Sequence, residues 1–405
     1  MSNVKKRILF VDDEVMVLKG LRRMLSKKRN EWDMDFVSSG SEALEKMDES
    51  SWDVIVTDLL MPGMSGGELL EEVSRKYPQV VRISLSGQAH RDFVDGYTFS
   101  SHQNLIKPCD ENTLTQVLDD VLSAGNLPVG ARLKNILTRI DSLPVLPNLT
   151  SEIMDALRQS PVNLNMVGDL ASRDMGMSAK LLALVNSPYF GFRGKVVDTS
   201  RAVVLLGADA MFALVVTLHA FSCFKAEGVP EFSLESLWNH SARTSCIAKN
   251  LAAFEGLGKE AIGQASMAAL LHDLGKLLLC TDFADEYNRI LEEVRETGQV
   301  ISEVEKKVLG TTHAQVGAYL LALWGIPSEV VDIIANHHSP KALGSNVSQE
   351  MLLFLANLFE HHLTIVNPPY SQPELPMLRF EALGVVEKIE MWRDVASRTL
   401  EKYDG

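Results

Sequence analysis

The sequence predicts two folds in series: an α/β domain with a doubly wound, five-stranded parallel sheet, and then an all-helical domain. Two observations carry this. Over residues 1–125, short apolar runs alternate with helical periodicity at the spacing of βα units. After residue 143 strand signals almost vanish, and amphipathic helices follow one another to the end. A chain of 405 residues is also too long for one hydrophobic core.

The elements follow in order. Residues 8–11 are an apolar strand ending in Asp12-Asp13. Residues 53–57 are a buried strand that ends at Asp58, and residues 58–63 leave it as a loop. Residues 80–85 form a third strand, closed by Ser86-Gly87, and a further strand segment ends at Lys107-Pro108. Helical periodicity covers residues 41–47, 67–76 and 111–122, with Gly40, Gly66 and Gly87 in the intervening loops. Residues 125–130 break the pattern. Residues 131–140 predict a connecting helix with Leu133, Ile136, Leu137 and Ile140 on one face. The expected domains are therefore 1–125, a linker at 126–142, and 143–405. Helices are expected at 151–158, 177–185, 202–206, 237–254, 262–279, 287–296, 302–309, 313–324, 329–337 and 349–362. A proline-rich loop at 367–373 precedes a last helical appendage reaching about residue 402.

Composition excludes several classes. The net charge of −14 opposes non-specific nucleic-acid binding, and no basic recognition helix is present. Cys109, Cys223, Cys246 and Cys280 form no C-x-x-C pair, so free buried thiols are expected, with no disulfide framework or zinc ribbon. The charged N-terminus runs straight into a strand, and the apolar stretches are too short to span a bilayer. A cytoplasmic protein bound to neither membrane nor nucleic acid is the expectation.

Groups at the carboxyl ends of neighbouring parallel strands converge on one crevice. Here those groups are Asp12, Asp13, Asp58, Ser86 and Lys107. Three carboxylates in one place repel unless a cation joins them, and hard oxygen donors suit Mg2+. The metal and Lys107 would neutralise phosphoryl oxygens, most of what phosphoryl transfer asks of a protein, and Ser86 would donate to the new phosphate.

The stretches Ile8 to Glu14, Asp58 to Gly66, Leu85-Ser86-Gly87 and Lys107-Pro108 resemble the receiver domain of two-component response regulators, over roughly residues 1–125. The resemblance implies a flavodoxin-like fold and Asp58 as phosphoacceptor. It also implies Mg2+ on Asp12, Asp13, Asp58 and the Leu60 carbonyl, Ser86 and Lys107 as switch residues, and a cis Lys107-Pro108 bond. The implied partner is a sensor histidine kinase or phosphotransfer protein. Where the family often carries an aromatic switch, this chain has Asn104.

In the second half His240, His272, Asp273, His313, His337 and His338 fall on separate helical segments and could line one cavity holding divalent ions. His90, His102, His219, His361 and His362 read as surface or satisfied core groups. Residues 143–147, 184–191, 202–207, 271–276 and 313–318 resemble the HDOD (HD-related output) domain, a regulatory relative of the metal-dependent HD phosphohydrolases, from about residue 143 to 363. Two functions are weighed. One is a non-catalytic output module that binds a downstream protein or forms a homodimer. The other is a phosphohydrolase of a cyclic dinucleotide with a divalent transition metal, as in the HD-GYP relatives. Residues 339–343 carry no Gly-Tyr-Pro segment, and Asn357 offers a neutral carbonyl where the enzymes present a carboxylate. These two departures favour the non-catalytic module.

Overall fold

The computed structural model describes residues 5–87, 101–124, 148–159, 161–173, 177–178, 181–182, 185, 196–223, 228–339, 347–364, 381 and 386–404. The expected linker helix lies outside the described residues, as do the side chains of Ser86 and Asn104. The chain divides into two compact units, Met1–Leu146 with Tyr319–Ser328, and Pro147–Ala318 with Glu329–Gly405.

In the first unit β1 (Lys6–Val11), β2 (Trp32–Val37), β3 (Val54–Asp58), β4 (Val81–Gly87) and β5 (Gln103–Lys107) form one sheet in the order β2-β1-β3-β4-β5. Every neighbouring pair is parallel. Between them run α1 (Val15–Met24), α2 (Gly40–Glu49) and α3 (Gly66–Lys76), and α4 (Glu111–Ala124) follows β5. The alternation of side chains along each strand explains the two layers of helices. Ile8, Phe10, Val54 and Val56 bury against Leu18 and Leu21 of α1 and Leu114 and Leu118 of α4. Leu9, Val11 and Ile55 face the other way, against Ala43 of α2 and Leu69, Leu70 and Val73 of α3. A slip of one residue would exchange the two faces, so the apolar pattern pins the register. The strand order reverses direction beside β1 and β3, which opens a crevice at their carboxyl ends.

The second unit holds α5 (Asn148–Arg158), α6 (Leu164–Ala171), α7 (Thr199–Leu206), α8 (Ala208–Cys223), α9 (Leu234–Phe254), α10 (Lys259–Leu271), α11 (Leu274–Asp282), α12 (Ala284–Thr297) and α13 (Ile301–Leu309). Then come α14 (His313–Leu323), whose residues from Tyr319 onward are counted with the first unit, α15 (Ser328–Ala335), α16 (Gln349–Leu363) and α17 (Val386–Asp404). The C-terminal appendage packs on α9: Trp392 is fully buried and its Nε1 donates to Glu255 Oε1 at 2.8 Å. Among the described residues no single helix is long and apolar enough to cross a membrane.

One expectation needs correction. Residues 262–279 do not form a continuous helix; the chain breaks at His272-Asp273, between α10 and α11. Asp273 leaves helical geometry at φ −100°, ψ 4°. In an unbroken helix adjacent side chains diverge by about 100°, whereas the break lets both residues turn into one interior. Gly275 opens α11 for the same purpose: a Cβ there would lie 2.0 Å from the His313 carbonyl oxygen and 2.7 Å from the Gly317 amide nitrogen. Bare backbone at this crossing brings α14, and with it His313, up to Asp273.

Candidate functional sites: an acidic pocket and a buried imidazole cluster

The acidic pocket forms where β1, β3 and β5 end. Asp12 is fully buried and Asp58 nearly so. Lys107 Nζ donates to Asp12 Oδ2 at 2.6 Å and to Asp58 Oδ2 at 2.7 Å. Burial works against the Lys107 charge, but these two carboxylates outweigh it and hold the ammonium above the ordinary lysine value. Asp58 Oδ1 faces the Leu60 N–H at 3.4 Å. Oxygen atoms of Asp12, Asp13 and Asp58 lie within 4.8 Å of one another. Three carboxylates against one ammonium leave net negative charge on hard oxygen donors, a set that fits Mg2+. The Lys107-Pro108 bond is cis, as the resemblance implies. Ser86, one residue before the end of β4, pairs with Ile106 of β5, so its backbone reaches the same edge.

Local chemistry holds the β3–α3 loop. Ser65 caps α3: its Oγ accepts from the Glu68 N–H at 3.2 Å, and Glu68 Oε2 accepts from the Ser65 N–H at 2.9 Å. Gly66 passes so close that a Cβ would lie 1.8 Å from the Asp58 carbonyl oxygen.

In the helical unit, His240 from α9 groups with His272 and Asp273 from the α10–α11 break, and His313 from α14 groups with His337-His338 after α15. The partner of each Nδ1 fixes the tautomer. His272 Nδ1 donates to the Ala269 carbonyl at 2.7 Å and His337 Nδ1 to that of Ile334 at 2.7 Å. His240 Nδ1 meets Glu360 Oε2 at 2.6 Å, and His313 Nδ1 meets Glu305 Oε2 at 2.7 Å. All four rings therefore turn Nε2 inward. His240 Nε2 stands 3.2 Å from His272 Nε2, and His313 Nε2 stands 2.9 Å from His338 Nε2 and 3.2 Å from Asp273 Oδ1.

Burial keeps most of these rings neutral. It takes His272 down to about 3, and it takes His337 and His338 well below the ordinary histidine value with help from neighbouring imidazoles. His313 differs: burial pulls it down, but Glu305 and Asp273 on either side outweigh that and raise it. Burial also opposes charge on Asp273, yet His272, Lys276 and His313 hold it well below the usual carboxylate range. Lys276 Nζ sits 2.6 Å from Asp273 Oδ2.

Inward lone pairs at this spacing would suit a cation between them. Two nitrogens bound tetrahedrally at 2.0–2.1 Å stand about 3.3 Å apart, close to the observed separations. Asp273 Oδ1 and His337 Nε2 are buried with no hydrogen-bond partner among the described residues. Such orphaned donors fit a divalent transition ion, which imidazole and carboxylate both suit.

Four residues of this site were not singled out from the sequence: Glu305, Glu360, His361 and Lys276. Glu305 and Glu360 had a signal, since each interrupts the apolar face of its helix: Val304 and Val308 flank the first, Ala356 and Phe359 the second. Both are fully buried. His361, expected to be a surface or satisfied core group, instead lies tilted against His240 with ring centres 4.7 Å apart. His102 does fit the core expectation, accepting from the Arg82 N–H at 2.9 Å. Asn357 is half-buried on α16, its Oδ1 without a partner among the described residues. Cys246 and Cys280 are buried free thiols, and Cys109 is half-exposed.

Fold and pockets define an α/β module with an acidic strand-end pocket, followed by a helical domain with a buried imidazole cluster. Family models match residues 8–119 as a response regulator receiver domain and residues 143–340 as an HDOD domain. The chain thus carries an N-terminal receiver domain followed by an HDOD domain. It is 30% identical to an uncharacterized protein of Treponema pallidum over 51% of this chain and 39% of that one. It is also 30% identical to the uncharacterized transcriptional regulatory protein YesN of Bacillus subtilis, over 29% of this chain and 32% of YesN. The chain thus spans less than half the length of these curated relatives. An HDOD domain protein of unknown function from Geobacter sulfurreducens shares the fold at a TM-score of 0.51 and 21% identity, covering 72% of this chain and 94% of that one.

Proposed function

We propose that the protein is a phosphorelay switch. Asp58 accepts a phosphoryl group from a sensor histidine kinase or phosphotransfer protein, and the phosphorylated receiver controls an HDOD module that binds a downstream protein. The observation that carries this reading is Lys107 Nζ held between Asp12 and Asp58, with Asp13 beside them. Nucleophile, ammonium and a cation-binding pair then share one crevice. A carboxylate oxygen of Asp58 attacks phosphorus as the donor's P–N bond breaks, and the departing imidazole keeps the nitrogen electron pair. Lys107 offsets charge on the phosphoryl oxygens, and Ser86 donates to one of them. Asp12, Asp13, Asp58 and the Leu60 carbonyl would hold Mg2+, which supplies further charge neutralisation. Output then follows by population shift: the phosphate must favour one state of the protein over another. Asp58→Asn should abolish labelling by acetyl phosphate in the full-length protein. Labelling of that variant at full stoichiometry would reject Asp58 as acceptor.

A second reading rests on the orphaned Asp273 Oδ1 and His337 Nε2. In it His240, His272, Asp273, His313, His337 and His338 hold a divalent transition metal, and the domain hydrolyses a phosphoester such as a cyclic dinucleotide. A metal there supplies activated water and polarises phosphate oxygens. The neutral Asn357 weighs against turnover but not against metal retention. Metal analysis of the purified full-length protein, with a cyclic di-GMP assay in Mn2+ or Fe2+, separates the two. Metal without turnover leaves a non-catalytic module with a bound ion, whereas turnover lost on His272→Ala makes it an enzyme.

A further inference from the structure

We propose that His361 completes the metal position nearest α16, giving a His240–His272–Asp273–His361 donor set that selects Zn2+, Co2+, Ni2+ or Fe2+ over Mg2+ and Mn2+. This rests on the metal reading above and adds a ligand and a metal class to it. Asn357 and His361 are four residues apart on α16, so they share one face of the helix. The ligand function therefore passes one turn along, from a neutral amide to an imidazole.

Ligand atoms of His240, His272 and Asp273 lie within 4.8 Å of one another, and so do those of His240, Glu360 and His361, so His240 joins the two groups and one shared ion requires the His361 ring to turn toward His272 and Asp273. His361 and His240 have ring centres 4.7 Å apart, and His240 and His272 5.1 Å apart. Two imidazoles on one tetrahedral ion have ring centres about 5 Å apart, given a metal–nitrogen distance of 2.0–2.1 Å. No described residue hydrogen-bonds the His361 ring, so its nitrogens are uncommitted. Glu360 also lies within ligand reach of His240 and His361, but its oxygens are already engaged. Oε2 meets His240 Nδ1 at 2.6 Å and Oε1 accepts from Arg243 Nε at 2.8 Å. Glu360 is a positioning residue that orients His240 and strengthens it as a donor. Three imidazoles and one carboxylate suit a borderline ion, while Mg2+ requires mostly oxygen.

The test is Co2+ titration of chelator-stripped full-length protein, read by visible absorption. Nitrogen-rich, low-symmetry Co2+ gives intense bands that an oxygen-only pocket does not. Wild type is expected to show such bands, undisturbed by excess Mg2+. His361→Ala and the bulkier His361→Gln should each weaken Co2+ binding at least about tenfold and alter the bands. Asn357→Ala should stay within about twofold, since a neutral amide adds little to a set that His361 completes. If both His361 variants keep wild-type affinity and spectrum while His272→Ala loses them, this ligand assignment is wrong and the metal reading stands. A loss in Asn357→Ala equal to that in the His361 variants would also overturn the assignment. If wild type itself shows no such bands, the metal reading fails and takes this proposal with it.

Discussion

The acidic pocket and the imidazole cluster face the same electrostatic problem and solve it in opposite ways. Around Asp58, like charges are crowded at the open edge of a sheet, and an ammonium threaded between two carboxylates relieves them. Around Asp273, like groups are crowded in the interior of a helical unit, and burial relieves them by stripping most of the imidazoles of charge. The first arrangement leaves the Asp58 side chain 13% accessible at the pocket, beside the Lys107 ammonium. The second yields mostly neutral nitrogen donors, with the rings of His240, His272, His313 and His337 each fixed by a buried partner on the far side. Substitutions should therefore divide by site: at the sheet edge they change chemistry and spare the fold, while in the cluster they change both.

The sharpest break of this contrast is Glu305→Ala. Glu305 is fully buried, and its carboxylate meets His313 Nδ1, the His313 N–H at 2.9 Å and Tyr287 Oη at 3.3 Å. Removing one partner of a buried ionic pair costs roughly 3–5 kcal/mol. Calorimetric unfolding should show that loss in the helical unit, with acetyl-phosphate labelling of Asp58 undiminished. A loss below about 1 kcal/mol, the range of an exposed pair, would mean that Glu305 does not clamp His313.

Gly275→Ala tests the crossing that brings His313 to Asp273. The added methyl would meet the His313 carbonyl at 2.0 Å, and backbone cannot yield as a side-chain tip can. Overpacking of this kind costs typically 1–3 kcal/mol, and it should separate Asp273 from His313 and weaken metal binding. If stability falls but metal affinity holds, the close approach serves packing alone.

How far the sequence foretold each site follows from the kind of signal involved. Receiver geometry was legible because strand-end positions are set by local pattern. Asp12, Asp58 and Lys107 each close an apolar run, and the sheet topology brings those ends together without further information. The cluster was legible only in part, because its members come from α9, the α10–α11 break, α14 and the end of α15, and no local rule says which helix faces meet. The break itself was hidden: His272-Asp273 lies inside a run whose apolar periodicity continues unbroken. His361 was lost for a related reason, since a second histidine at 362 makes the pair look like a solvated helix end. Glu305 and Glu360 could have been found, because a carboxylate on an apolar helix face needs a buried partner.

The smallest expected effect returns to the sheet edge. Ser65→Ala removes the side chain that caps α3 and leaves Glu68 to hold the Ser65 N–H alone. Losing such a cap costs about 1 kcal/mol. Ser65 lies beside Gly66, which passes close to the Asp58 carbonyl, so fraying here is the shortest route from helix stability to Asp58. If the pocket is held by its strands and by Lys107, the receiver's melting point should fall by a few degrees at most while labelling of Asp58 by acetyl phosphate keeps its wild-type rate. A labelling rate that fell with the melting point would show that the loop, and not the sheet, positions Asp58, and the contrast between a chemically exposed and a structurally embedded site would then lose its basis.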